Sequence, residues 1–193
     1  MTVVKRGKIV VIVAPSGTGK TTLLSMIRPR FLNLEESVSF TTRPKRPMEI
    51  NGREYYFIKH EEFEAKLKSN DFLEYARVHS NYYGTEKNFV EKKISEGVNL
   101  IFDLDVQGCD SFKKYFGKEA NVIFITPPSI EELERRLRGR KTETQEVILE
   151  RLRNARREIL RKDDFDYLIV NDDLETAADD LEKVVRSILE GRQ

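Results

Sequence analysis

Apolar positions along this chain follow two rhythms. Short continuous runs, rich in β-branched residues, occur at Ile9–Val13, Val98–Phe102, Asn121–Ile125 and Tyr167–Val170. Their length and composition predict buried strands. Elsewhere apolar residues recur at helical spacing. Thr22–Ile27 reads as a helix after the first strand, and Leu174, Ala177, Leu181, Val184, Val185 and Ile188 share one face of a final helix over about residues 174–189. Ser129-Ile-Glu-Glu132, after Pro127-Pro128, has capping-box spacing and opens a helix reaching Leu137. Thr142-Glu-Thr-Gln145 repeats that spacing and opens another, to about Leu160. Strands alternating with helices predict a parallel sheet with crossover helices.

Residues 37–85 break the pattern. Ser37–Phe40 and Glu54–Ile58 read as short strands around Thr42-Arg-Pro-Lys-Arg-Pro47, a loop stiffened by two prolines. A helix over about 61–68 and a strand over 72–78 follow, so we expect an inserted small lobe.

Composition narrows the partners. A length of 193 residues suits one domain, or one core with inserted lobes, and 39% hydrophobic with 35% charged residues suits a soluble chain with long solvated helices. A net charge of +1 gives no global case for nucleic acid or membrane binding. No apolar stretch approaches membrane-spanning length, and the first strand begins too early for a signal peptide, so a cytoplasmic location is expected. Cys109 stands alone, which excludes an internal disulfide, and His60 and His79 are too few for a zinc cluster. We expect Cys109 to pack rather than react. Charge is uneven in one place, residues 134–162, with eleven basic side chains against five acidic. Mixed charge usually means a solvated helix face. An excess this local points instead to a few arginines that meet phosphates.

The phosphates have an obvious place. Ala14-Pro-Ser-Gly-Thr-Gly-Lys-Thr21 lies between a strand and a helix, the context of a P-loop, and Thr22 continues into that helix. Backbone N–H groups and a positive helix N-terminus would cradle a polyphosphate, with Lys20 on the β and γ phosphates and the Thr21 hydroxyl on Mg²⁺. Ala14 replaces the first glycine of the strict pattern, and we expect some distortion there without loss of the loop. Gly17-Thr-Gly19 would begin a dinucleotide fingerprint, but Thr22 stands where its third glycine belongs. Arg43 and Arg46, on the Pro-stiffened loop, offer rigid forks that suit phosphate oxygens. Tyr82 and Tyr83 are either aromatic packing or neutral donors. Gly84 beside Tyr83 favours the second reading for Tyr83. Glu74 taken alone reads as a solvated strand carboxylate.

Together these segments resemble the guanylate kinase family across nearly the whole chain. The resemblance rests on the P-loop and on Thr42-Arg-Pro-Lys-Arg46, Asn51-Gly-Arg-Glu-Tyr55, Tyr82-Tyr-Gly-Thr85, Asp103-Leu-Asp-Val-Gln-Gly108, Thr126-Pro-Pro-Ser129, Gly139-Arg-Lys-Thr-Glu143 and Val170-Asn-Asp-Asp173. It implies an α/β fold: a P-loop NTPase-type parallel sheet flanked by helices, with an inserted mixed α/β GMP-binding lobe and a helical lid. The implied divisions are core at 1–36, 89–138 and 153–193, the GMP lobe at 37–88 and the lid at 139–152. The implied reaction is phosphoryl transfer from ATP to GMP or dGMP with Mg²⁺. Carried over by position, Arg43, Arg46, Tyr55 and Tyr83 would hold the GMP phosphate. Ser39, Glu74 and Thr85 would face guanine, with Asp105 nearby. An ionised Glu74 accepts only, which suits guanine's adjacent N–H groups and leaves adenine unsatisfied. Thr21 and, through water, Asp103 would hold Mg²⁺. Lys20, Arg43, Arg136, Arg140 and Arg151 would carry catalysis. Residues 14–22 and Asn171 would bind ATP, Asn171 at the adenine. Phe40 departs from the pattern, since some members carry a small hydroxyl residue there. Two rivals remain: a binding module on the same fold that grips phosphorylated peptides, against which stand Lys20 and Thr21, and a P-loop kinase for another acceptor.

Overall fold

The computed structural model describes residues 5–78, 80–139 and 144–191. In chain order the first half forms β1 (Ile9–Val13), α1 (Lys20–Ile27), β2 (Leu34–Glu36), β3 (Phe40–Thr41), β4 (Tyr56–Phe57), α2 (His60–Lys68), β5 (Phe72–Val78) and β6 (Asn81–Glu86). Then come α3 (Lys87–Ser95), β7 (Asn99–Leu104), α4 (Val106–Phe116), β8 (Ala120–Thr126), α5 (Ile130–Gly139), α6 (Gln145–Ile159), β9 (Tyr167–Val170) and α7 (Leu174–Glu190).

Five strands make a parallel sheet in the order β2-β7-β1-β8-β9. Ile9, Val11 and Val13 of β1 pack with Val90, Ile94, Cys109 and Phe112 of α3 and α4. Val10 and Ile12 pack on the other face with Leu23 and Leu24 of α1 and Leu181 and Val185 of α7. Burial on both faces is why β1 and β8 are continuous apolar runs and not alternating ones. Cys109 is fully buried, and burial pushes its thiol up to about 12, so it stays protonated at neutral pH. Among the described residues no helix is long and apolar enough to cross a membrane.

The strand expected at Ser37–Phe40 narrows to Phe40–Thr41. The Ser37 N–H still donates to Ile101 O at 3.0 Å, extending the pairing of β2, whereas Ser39 O already accepts from the Tyr56 N–H at 2.9 Å. Residues 37–39 therefore cross from one sheet to the other. The second sheet is mixed, in the order β4-β3-β6-β5. It is covered by α2, whose fully buried Phe63 stacks on Phe72 and Tyr82 with ring centroids 4.3 and 5.2 Å away. Gly84 of β6 makes that stack possible, because a Cβ there would lie 3.1 Å from both the Phe63 and Phe72 rings. Phe40 joins the same aromatic layer, stacked on Tyr56 at 4.8 Å.

Outside both sheets α5 and α6 pair through Leu133, Leu137, Ile148 and Leu152. Half of the expected capping box forms at α5. Ser129 Oγ accepts from the Glu132 N–H at 3.1 Å, while the Glu132 carboxylate turns to Arg135 and Arg136. At α6 the cap is Thr144, whose hydroxyl accepts from Val147 N–H, and not Thr142, which lies outside the described residues. The spacing misled because either threonine can serve; Thr144 stands directly before the first helical residue.

Candidate active site

A parallel sheet brings its strand ends to one edge. The loop of residues 14–19 follows β1, Asp103 and Leu104 close β7, and Asn171 follows β9. Gly17 and Gly19 have φ of 93° and 95°, left-handed conformations that side chains disfavour. Among the described residues Asn70 alone combines positive φ with a side chain. Ala14 is not among the residues of positive φ and packs its methyl against the α1/α7 side of the core. α1 begins with Gly19 as N-cap and without a side-chain cap, which leaves first-turn N–H groups for a ligand. The cavity beside it, about 380 Å³, is lined by residues of the loop together with Lys20, Thr21, Thr22, Asp105 and Glu158. Thr18 faces inward instead. It is fully buried and its hydroxyl closes the loop on Pro15 O at 2.6 Å.

Lys20 Nζ donates to Leu104 O at 2.8 Å and pairs with Asp103. Asp105 caps α4, its carboxylate accepting from the Gly108 N–H at 2.7 Å. Of the basic run, Arg151 Nη1 donates to Ser16 Oγ of the loop at 3.0 Å. Arg136 is held by Glu132 at 2.7 Å and by Asp172 O at 3.3 Å. Arg135, Arg138 and Arg161 pair with Glu132, Glu134 and Asp110, and Arg140 lies outside the described residues. Asn171 is only 3% exposed and donates its amide N–H to Thr18 O at 2.7 Å. Its side chain is thus engaged with the loop backbone.

Across the edge lies a cavity of about 560 Å³, lined in part by Ser39, Tyr55, Thr85 and Asp103. Thr85 is buried and its hydroxyl donates to Glu74 at 2.6 Å, with Ser39 Oγ 3.5 Å from it. Glu74 opens on an adjoining cavity that it shares with Asp105. Burial pushes the Glu74 carboxyl above the usual carboxylate range, the Thr85 hydrogen bond opposes this, and Asp105 adds to it. Arg43 lies over Tyr55 and Phe57, 5.5 and 5.6 Å from their ring centres, and Tyr83 meets Tyr55 edge-on at 5.6 Å.

Sequence reasoning missed Glu49. Arg43 grips it with both forks, at 2.6 and 3.1 Å, and Glu49 also accepts from the Arg46 N–H at 2.8 Å. Arg43 holds the Glu49 carboxyl below its ordinary range. The available signal was an acid placed just after three cations, Arg43, Lys45 and Arg46. The Arg46 side chain is exposed and makes no hydrogen bond or ion pair among the described residues.

Comparison with known proteins gives the family. A family model described as guanylate kinase matches residues 6–188. The guanylate kinase of Bacteroides thetaiotaomicron is 46% identical over 184 residues, covering 95% of this chain and 90% of that protein. That of Thermotoga maritima is 44% identical over 182 residues, covering 94% and 87%. The crystal structure of guanylate kinase from Anaplasma phagocytophilum superposes with a TM-score of 0.68 at 34% identity, covering 96% of this chain and 87% of that one. A shikimate kinase from Bacteroides thetaiotaomicron, 12% identical with a TM-score of 0.50, shares the fold alone. Matched over residues 6–188 by the model and over 95% of its length by a relative at such identity, the chain belongs to the guanylate kinase family.

Proposed function

We propose that this protein transfers the γ-phosphoryl group of ATP to GMP or dGMP, giving ADP and GDP in purine nucleotide recycling. The observation that carries the reading is the position of Asp103. It lines the cavity of Ser39 and Thr85 while pairing with Lys20 of the P-loop, so the donor and acceptor cavities adjoin. Transfer between two polyanions asks little covalent work of the protein. It asks for alignment and positive charge around a loose, metaphosphate-like transition state.

In this reading residues 14–22 hold the ATP polyphosphate, and Lys20, Arg136, Arg140 and Arg151 stabilise charge during transfer. Arg43, Arg46, Tyr55 and Tyr83 bind the GMP phosphate. Ser39, Glu74 and Thr85 read guanine, and Asp105 borders that site. Thr21 and Asp103 suit Mg²⁺, which binds through one or two protein oxygens and keeps several waters; Asp103, its side chain 35% exposed, has room for such a water. Mg²⁺ would supply neutralisation of the β and γ phosphates. Core, GMP lobe and lid divide as 1–36, 89–138 and 153–193, then 37–88, then 139–152, and their closure would exclude water that otherwise hydrolyses ATP. A single cysteine, free and buried, is in keeping with a reducing compartment, and we assign the cytoplasm.

The test is ADP release from ATP with GMP, AMP, UMP or CMP as acceptor. GMP should support turnover far above the others. Equal turnover with AMP, or none with GMP, overturns the reading.

A further inference from the structure

Among the described residues Ser37 Oγ is the one buried side-chain oxygen or nitrogen without a hydrogen-bond partner. Such atoms are uncommon in native proteins, because a buried hydroxyl left unpaired costs its desolvation in full. Ser37 belongs to the three residues that cross from the parallel sheet to the second sheet. It lines the cavity of about 560 Å³ together with Ser39 and Thr85. Its backbone N–H is fixed to Ile101 O of the parallel sheet, whereas Ser39 O accepts from the Tyr56 N–H of the second sheet. Val38, between them, makes no backbone hydrogen bond among the described residues.

Each hydroxyl in this wall has one proton to place. Thr85 gives its proton to Glu74 at 2.6 Å, so towards Ser39 it can only accept. In the 3.5 Å contact of these two hydroxyls Ser39 is therefore the donor. The row runs from Ser39 to Thr85 to Glu74, and the Ser39 oxygen keeps its acceptor capacity. Guanine presents two acceptors along one edge, O6 and N7. A Ser39 that turns its proton to either of them gives up the long contact to Thr85 and loses its hold. The Ser37 hydroxyl, two residues earlier on the same cavity wall, is a donor with nothing else to serve.

We propose that Ser37 is a positioning residue for the acceptor base: its hydroxyl donates to Ser39 Oγ when Ser39 gives its proton to the guanine ring. The inference rests on reading Ser39, Glu74 and Thr85 as the residues that face guanine. A hydroxyl unpaired in the free protein is then paired in the complex. Ser37 thus disfavours the free state and favours the bound one, so its loss moves stability and affinity in opposite directions.

The experiment compares Ser37→Ala, Ser39→Ala and the double variant with the unaltered protein. It reads the melting temperature without nucleotide, calorimetric GMP binding without donor, and the KM for GMP and for ATP. We expect Ser37→Ala to raise the nucleotide-free melting temperature, since it removes an unpaired buried group. It should weaken GMP about tenfold and leave the KM for ATP within about twofold. In the Ser39→Ala background the same change should leave GMP binding unaltered, because the acceptor of the bond is gone. A melting temperature that stays the same or falls overturns the inference, because the hydroxyl then already supports the free fold. Unchanged GMP affinity, a matching rise in the KM for ATP, or equal losses with and without the Ser39 hydroxyl overturn it too. Failure of the parent reading is separable, since it would appear as absent ATP-to-GMP transfer in the unaltered protein.

Discussion

Glu74 sits in a place that disfavours its charged form. Burial raises its carboxyl, the Thr85 hydroxyl opposes the rise, and Asp105 adds to it. The folded protein therefore holds this proton to a higher pH than the unfolded chain does. Stability falls as pH rises from the ordinary carboxylate range through the raised value, and above it the deficit is complete. Glu74→Gln should raise the melting temperature at pH 7–8 in calorimetry, because it removes a desolvated charge and keeps the shape. The same change should weaken GMP by about 2 kcal/mol or more and collapse the preference for GMP over AMP, since guanine would meet an amide N–H₂. A variant that keeps its full GMP preference would mean guanine is read elsewhere. Lys20→Ala should lower kcat by about 3–4 kcal/mol in barrier terms and leave GMP binding intact, checked by turnover and GMP titration. Placement at single positions was legible where a motif fixes spacing: Lys20 and Thr21 both line the cavity beside the loop. It was not legible at Glu49, which meets Arg43 only because the loop folds back, nor at Asn171, whose partner Thr18 is 153 positions away.

Strands buried on two faces announce themselves, which is why β1 and β8 were readable from composition alone; β9, an edge strand with Leu168 and Val170 exposed, was readable only as an apolar run. β2 was not, being three residues with both glutamates exposed at a sheet edge. β6 was hidden too, because Asn81-Tyr-Tyr-Gly-Thr-Glu86 reads as a turn until Phe63 and Phe72 are known to lie over Gly84. α4 was obscured by Gly108 in its first turn, a poor helix former held by the Asp105 cap. Gly84→Ala is the change that tests the second sheet. With neighbours at 3.1 Å on three sides, the added methyl should destabilise the protein by roughly 1–3 kcal/mol. It should also raise the KM for GMP more than that for ATP, because Tyr83 and Thr85 flank it. Steady-state kinetics beside urea denaturation would show this, and equal loss for both substrates would assign the strain to the whole fold.

As one molecule, the protein presents two cavities bridged by the ion pair of Asp103, which lines one, with Lys20, which lines the other. Small-angle scattering should give its smallest radius of gyration with GMP and a non-hydrolysable ATP analogue together; an unchanged radius would remove closure from the mechanism. Three cations of the site are already matched before any nucleotide arrives, Lys20 by Asp103, Arg43 by Glu49 and Arg136 by Glu132, whereas Arg46 has no ion pair among the described residues. At those three positions nucleotide binding becomes an ion exchange in which phosphate oxygens displace resident carboxylates. Paired cations project little long-range field, so any dependence of kcat/KM for GMP on ionic strength should be weak and should shrink further in Arg46→Ala. The same exchange filters what stays bound. A stray monovalent anion gains too little to dislodge a forked carboxylate, whereas a phosphate dianion anchored through its base can complete the swap.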